Sequence, residues 1–383
     1  MRDLAEALDR DDPLATWRDE FVIPDPELIY LDGNSLGRTP KRTVDALRTV
    51  VEQQWAGDLI TSWWEHDWLD LPLLVGDELA PVLGAKPGEI VVHDSTTVCL
   101  FQLVNVALDL TGGSTIAVAD TEFPTDRYVI DGVARLRDGV TVRRGLDDLT
   151  GVDVVVRSLV DYRTAELHEL AAETARARAA GALTVWDLSH AAGVVEVDLE
   201  GAGVDLAAGC TYKFLNGGPG APAFTYVRRP IQADLVQPIW GWFGQRDQFA
   251  MDAPFDARSG AARLLNGTPG ILGVTAARCG IEVTAAAGMP AIAAKAAALS
   301  GFAINVAREL GLTCPTAPTP ASSGGHVSVI HPDATALQSA LAARKVIVDK
   351  RDPDVLRFGL SPLTTRFVDA FDGLVALAGM LDT

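Results

Sequence analysis

Cysteine is scarce in this chain of 383 residues: Cys99, Cys210, Cys279 and Cys314 are all there is, far apart and without a CxxC or a Cys/His cluster. That spacing offers neither a disulfide framework nor a metal site, and it suits a reducing compartment. Basic residues are also short. Lys plus Arg number 32 against 51 Asp plus Glu, giving a formal net charge of -19 and a pI near 4.6, a field that repels nucleic-acid backbones and anionic lipid surfaces. An anionic small ligand is still admissible where local Arg, Lys and backbone N–H groups overrule that field. Long apolar runs are missing too. The Ala-rich stretch from Val274 to Val306 is interrupted by Arg278, Glu282 and Lys295, and the acidic N-terminus MRDLAEALDRDD lacks the basic-then-apolar layout of a secretory signal. The chain reads as cytoplasmic, with neither nucleic acid nor membrane as a partner and with no metal.

What is present is the texture of an α/β protein, long enough for one large domain with a smaller appendage or for two of ordinary size. Thr39 to Asp58 carries a helical pattern, with Pro40 near its start and Val44, Leu47, Val50 and Val51 at helical spacing. From about Thr115, short β-branched runs at 115–120, 152–160, 183–189 and 221–227 alternate with helical segments such as Thr164 to Ala180. Such alternation predicts βαβ units, a mostly parallel sheet, and ligands gathered at the carboxyl ends of its strands. Gly217-Gly218-Pro219-Gly220 marks a tight turn. Beyond Gly270 come an Ala-rich helical region to about Leu310, a Pro- and Ser-rich loop (Pro315 to Gly325), and a strand (His326 to Ile330). A helix (Ala334 to Arg344), a strand (Val346 to Asp349), the segment VLRFGLSPL and a last helix follow. That tail predicts a smaller α+β domain. The expected division is 1–38 as a leading segment packed on the small domain, 39–270 as the large domain and 271–383 as the small one.

Asp187 ends one apolar run and Lys213 follows the next, so in a parallel sheet both emerge at the ligand-binding edge. An acid and an amine there have a joint use. Pyridoxal phosphate (PLP) needs a Lys for its Schiff base and a carboxylate to keep the pyridine nitrogen protonated, which makes the ring an electron sink. The plainer alternative is a helix-capping Asp and a solvated Lys. His190 one turn on, Tyr212 beside the Lys and the glycine turn after it favour the first reading. Ser95, Thr96 and Thr97 precede an apolar helical run and could hold a phosphate at a helix N-terminus, or serve as an ordinary N-cap.

The blocks YLDGNSLG (30–37), DSTTVCLF (94–101), EFPTDRYV (122–129), VDYRTAEL (160–167), WDLSHAAG (186–193), CTYKFLNGGPG (210–220), WGWFG (240–244) and NGTPGI (266–271), in this order, resemble kynureninase. The resemblance spans most of the chain. It implies the fold-type-I PLP-dependent transferase-like class, in the aminotransferase class V group. It also implies a homodimer with active sites at the subunit interface and an amino-acid substrate. The activity implied is hydrolysis of the Cβ–Cγ bond of L-kynurenine to anthranilate and L-alanine, in tryptophan catabolism and NAD biosynthesis.

Residue by residue, the resemblance implies that Lys213 carries the cofactor, Asp187 pairs with its pyridine nitrogen and Phe123 stacks on its ring, with Asp126 closing that loop. Thr96, Thr97, Ser158, Tyr212 and Trp242 would surround the phosphate, with His190 beside the ring and Thr268 reaching across the dimer interface. Tyr212 would relay a proton in ketone hydration. Arg357, with Asn34, would take the substrate carboxylate. Trp63, Gly267 and Thr268 resemble the set of bacterial members favouring unsubstituted kynurenine. Two positions depart from the pattern: Asp161 and Ala165 stand where Asn and Gly are expected, and a carboxylate at 161 near the site would bear on the substrate. The rivals are a cysteine desulfurase, for which Cys314 is the one conceivable nucleophile, a class V aminotransferase, and a catalytically silent binding protein of the same fold.

Overall fold

The computed structural model describes residues 1–251, 254–315 and 323–381. Strands are β1 (Ile29–Leu31), β2 (Ile90–His93), β3 (Thr115–Val118), β4 (Thr141–Arg144), β5 (Val154–Ser158), β6 (Leu183–Asp187), β7 (Leu206–Cys210), β8 (Ala223–Val227), β9 (His326–Ile330), β10 (Val346–Arg351) and β11 (Val355–Gly359). Seven form one sheet in the order β2-β8-β7-β6-β5-β3-β4, and four form a second in the order β1-β10-β11-β9. In the large sheet only β8 is reversed against its neighbours; the other six run the same way. Their carboxyl ends therefore share one edge. The central strands are continuous Val, Ala and Leu runs buried on both faces, as helix-covered parallel strands require. Helix Thr96–Thr111 packs on β5 to β8, and helix Leu71–Leu79 lies against β2.

Four departures from the sequence pattern have local causes. The helix expected over Thr39 to Asp58 is α-helical from Lys41 to Thr49 and then widens into π-helical turns over Val50–Asp58. Its apolar positions 44 and 51 stay exposed while Thr43 and Val50 are buried, so the periodicity marks a helix but not its inward face. The helix expected from Thr164 begins only at Leu170, because Asp161 builds a turn over 161–164 and Ala165 sits at φ 61°, a backbone region that interrupts a helix. The Ala-rich region is two helices, Ile271–Ala287 and Met289–Glu309, parted by Gly288 at φ 84° and followed by Pro290 in the first turn. The strand expected at Val346 to Asp349 runs on to Arg351. Of the Pro- and Ser-rich loop, residues 316–322 lie outside the described residues.

Helix Met289–Glu309 is long and apolar enough to cross a bilayer by length and composition, but half of that window is buried inside the protein. Its Lys295 forms a buried ion pair with Asp12 at 2.6 Å. The N-terminus is tied to the second sheet: β1 pairs parallel with β10, and the Asp9 carboxylate accepts the N–H groups of Phe367 and Val368 at the start of the last helix. From β1 the chain crosses to the large sheet's edge, where Gly37 N–H donates to the Tyr212 carbonyl at 2.9 Å. A Cβ on Gly37 would stand 2.3 Å from the Lys213 carbonyl oxygen. On the other side, a Cβ on Gly280 would stand 2.0 Å from the Leu215 carbonyl oxygen. Two glycines thus let two elements close on the segment that carries Lys213.

That closeness gives a stability prediction. Gly280→Ala must push helix Ile271–Ala287 off the Leu215 backbone, and we expect a loss of about 1–3 kcal/mol in chemical denaturation. Gly57→Ala, where nothing lies within 4 Å, should change stability by less than ~0.5 kcal/mol. Equal effects of the two substitutions would contradict the packing described.

Candidate active site

A cavity of about 910 Å³ opens at the carboxyl edge of the large sheet. Each of the neighbouring strand ends supplies a functional group. Asp187 is the last residue of β6, and Ser158, the last of β5, lies directly beside it in register. Lys213 follows β7, and Ser95, Thr96 and Thr97 open the helix after β2. Phe123 stands at the N-cap of the helix that follows β3, and Asp126 lies in that helix's first turn. All of these line the cavity, as do Tyr212, His190, Gly267 and Thr268.

Four expected residues stand elsewhere. Trp242 is at the rim, where its indole N–H donates to Thr268 Oγ1 at 3.3 Å. Trp63 does not reach the cavity; it packs edge-on against Trp68, centroids 5.6 Å apart, and Trp68 and Trp55 form the wall. Asn34 and Arg357 are fully buried behind the wall. Arg357 donates through Nη1 to the carbonyl of Tyr162 at 2.7 Å, and Tyr162 is a cavity residue whose ring meets Phe123 edge-on.

Charge in the cavity floor is unbalanced. Asp187 Oδ1 accepts the Ser189 N–H at 2.8 Å and its hydroxyl at 2.6 Å. Burial pushes the Asp187 carboxyl up, against the pull of Ser189 and Lys213. Burial also pushes Asp126 well up, helped by the charges of Asp187 and Glu122. Glu122 is itself raised by burial; it accepts the Ser158 N–H at 2.9 Å and pairs with Arg157 at 3.2 Å. Ser158 Oγ in turn donates to Asp126 Oδ2 at 3.4 Å. The Lys213 ammonium lies 5.9 Å from the Phe123 ring centroid and 6.0 Å from that of Tyr212. Burial pushes the Tyr212 phenol up, so it stays protonated. His190 is buried with neither ring nitrogen hydrogen-bonded, and burial, reinforced by Lys213 and Arg357, holds it neutral.

These features fit PLP. A helix N-terminus with two threonines and Ser95 suits a phosphate dianion, Lys213 is the buried amine, and among the described residues the carboxyl pair Asp187 and Asp126 lacks a second cation, which a protonated pyridine would supply. The orphaned nitrogens of His190 lie on the same wall.

Several contributing residues were not singled out by sequence. Ser189 sits inside the WDLSH block, and its spacing from Asp187 is that of a side-chain-to-backbone turn, a signal that was available. Asp94 accepts hydrogen bonds from Asn266 and shares one with His93, each at 3.0 Å, so it joins the DSTT and NGTPG blocks; its φ of 43° is unusual for Asp. No sequence pattern announces that link. Asp161 does not line the cavity. Its Oδ1 accepts the N–H groups of Arg163 and Thr164 and the Thr164 hydroxyl, so its charge is absorbed by its own turn. Cys314 is partly buried against the core of the second sheet.

Comparison with known proteins bears on the family. Kynureninases of Burkholderia pseudomallei are 40% identical over 403 aligned positions, covering all of this chain and 96% of theirs. The chain belongs to the kynureninase family. The kynureninase of Pseudomonas fluorescens is 40% identical across 98% of this chain and 94% of its own length, and the kynureninase C-terminal domain family matches residues 292–377. Solved structures agree on the fold. The C-DES lyase with glycine covalently linked to its PLP cofactor superposes with TM-score 0.82 at 17% identity, covering 93% of this chain and 99% of that one. The cysteine desulfurase of Thermococcus onnurineus gives 0.77 at 20%, covering 98% and 97%. At such identity these show a shared fold-type-I architecture and not a shared reaction; the kynureninase kinship carries the reaction.

One titration beside Arg357 in this kynureninase-family chain is accessible. Asp32, in the YLDGNSLG block, has its carboxyl pushed up to about 6 from 3.8, first by burial and then by the charge of Asp349, with Ser35, Arg357 and Arg351 pulling the other way. The folded state therefore holds this proton more tightly than the unfolded chain. Stability from Asp32 is full below about pH 4 and is lost as pH rises through about 6. Asp32→Asn should be more stable than the parent at pH 8, by on the order of 1–3 kcal/mol, and the gap should close toward pH 4.5 in denaturant melts. A variant that is less stable at pH 8 would show that the two arginines outweigh burial.

Proposed function

We propose that the chain hydrolyses the Cβ–Cγ bond of L-kynurenine, or of a ring-substituted kynurenine, to anthranilate, or its analogue, and L-alanine, with PLP as cofactor. The observation that carries this is the full-length kinship with kynureninases in a chain that sets Lys213 and Asp187 at adjacent parallel strand ends on one cavity.

When bound at Lys213, PLP supplies an electron sink that lets bonds at substrate carbon break heterolytically. The protein does the rest. Ser95, Thr96 and Thr97 hold the phosphate with helix N–H groups and hydroxyls. Asp187 and Asp126 keep a proton on the pyridine nitrogen. Phe123 covers one ring face, with His190 beside the ring. The amine of Lys213 accepts the substrate Cα proton. Tyr212, kept protonated, donates to the ketone oxygen as water adds there. Arg357 and Asn34 orient the α-carboxylate. The indoles of Trp55 and Trp68 and the Phe123 ring shelter the reacting atoms from bulk water.

A homodimer belongs to this reading. Support comes from an exposed aromatic ridge, Trp64 to Phe249 to Trp242, which runs into Thr268 at the cavity rim, and from the outward apolar positions Val44 and Val51. A cytoplasmic setting fits the free cysteines. We divide the chain into a large domain, 39–270, around the seven-stranded sheet and a small one, 271–383, around the four-stranded sheet, with 1–38 joined to the latter.

Trp68 already donates its indole N–H to Gln54 and Asp161 is absorbed by its turn, so a ring hydroxyl entering beside these indoles loses hydration without a partner from either. Incubation with kynurenine and 3-hydroxykynurenine together should give alanine and the matching anthranilate in equal amounts. We expect kcat/KM roughly 10- to 100-fold higher for kynurenine. A keto-acid product by mass spectrometry would overturn the hydrolase reading, and a preference for the hydroxylated substrate would overturn the account of the aryl pocket.

A further inference from the structure

Arg357 has no slack. Its strand, β11, is paired antiparallel with β10, and Asp349 is its direct partner in register. Asp349 Oδ2 pairs with Arg357 Nη2 across the two strands. Ser35 bridges them, donating its hydroxyl to Asp349 Oδ2 at 2.7 Å while accepting from Arg357 Nη2 at 3.2 Å. With the Asn34 amide turned so that its oxygen faces the guanidinium, that oxygen accepts from Nε at 3.3 Å and Nη2 at 3.1 Å. Nη1 is committed to the Tyr162 carbonyl. The loop bearing Tyr162 is itself fastened to the same hairpin, since Arg163 donates to the Asp352 carbonyl and to Asp354 at 3.1 Å.

We propose that Asp349 is the positioning residue for the substrate-carboxylate site: it fixes the plane of the Arg357 guanidinium against the cavity loop before substrate arrives. The inference rests on the reading that Arg357 takes the α-carboxylate. A lone guanidinium on a flexible stem would have to be ordered and desolvated at the moment of binding. Held by a carboxylate on one side and a carbonyl on the other, it has its plane set before binding.

Asp349 Oδ1 also pairs with Arg351 at 2.9 Å, so one carboxylate holds both guanidiniums of the hairpin. Without Asp349 the fully buried Arg357 would lose its ion-pair partner.

The test compares ligands with and without the α-carboxylate on the PLP-loaded enzyme. For Asp349→Asn we expect KM for kynurenine to rise 10-fold or more with kcat changed less than 3-fold, and L-alanine, titrated by the visible band, to bind correspondingly weaker. Inhibition by kynuramine, which lacks the carboxylate, should be unchanged. A general structural defect would weaken both ligands and would overturn the proposal. So would an unchanged or lowered KM, the latter because Asp349 would then be competing with substrate for Arg357. Should Asp349→Asn not fold, Ser35→Ala removes the bridge alone and should raise KM about 3-fold with the same indifference of kynuramine; no rise would overturn the proposal equally. Arg357→Lys separates the underlying reading: if it leaves KM for kynurenine unchanged, Arg357 is not the carboxylate site at all, whereas a raised KM there with normal Asp349→Asn kinetics rejects only the role of Asp349.

Discussion

One amine is buried among carboxyl groups, and the rest of the structure is arranged to keep it there. Lys213 shares the cavity floor with Asp187 and Asp126, and Glu122 lies just behind. Only Glu122 has its own cation, Arg157. Such a set is costly to desolvate unless another positive group joins it, and a protonated pyridine is that group. The parallel sheet makes the arrangement possible, because β5, β6 and β7 deliver Ser158, Asp187 and the Lys213 segment to one edge within two strand spacings. The strongly negative chain does not contradict an anionic substrate, since two guanidiniums, Arg351 and Arg357, stand together at Asp349.

Much of the fold was legible because its cause is local. The buried runs at β5, β6, β7 and β8 announced themselves as Val- and Ala-rich segments bounded by turns, and β9 and β10 did so in the smaller sheet. What was not legible depended on single backbone positions or on distant partners. Ala165 at a positive φ cuts a helix that composition alone would extend. The π-helical turns at Val50–Asp58 take more residues per turn than an α-helix, so the 3.6-residue pattern loses its phase there. That drift bears on which indole reaches the cavity: Trp55 and Trp68 form the wall while Trp63 stands behind.

The candidate site divides along the same line. Asp187, Lys213 and the Ser95–Thr97 run sit at strand ends and a helix start, places that periodicity alone locates. Arg357 was visible only through the resemblance, and its burial and its partner across the β10–β11 pair were not visible at all, because strand register is a tertiary fact. The link from Asp94 to Asn266 closes two blocks 172 positions apart, and it too exists only once the chain has folded.

The proposed function requires that the amine of Lys213, and no other, carry PLP. Borohydride reduction of the loaded enzyme followed by proteolysis and peptide mass mapping tests this directly. The phosphopyridoxyl mass is expected on the peptide containing Lys213, with fragment ions placing it on that residue; the same mass on another lysine, or no reducible linkage in an enzyme that turns over kynurenine, would overturn the assignment.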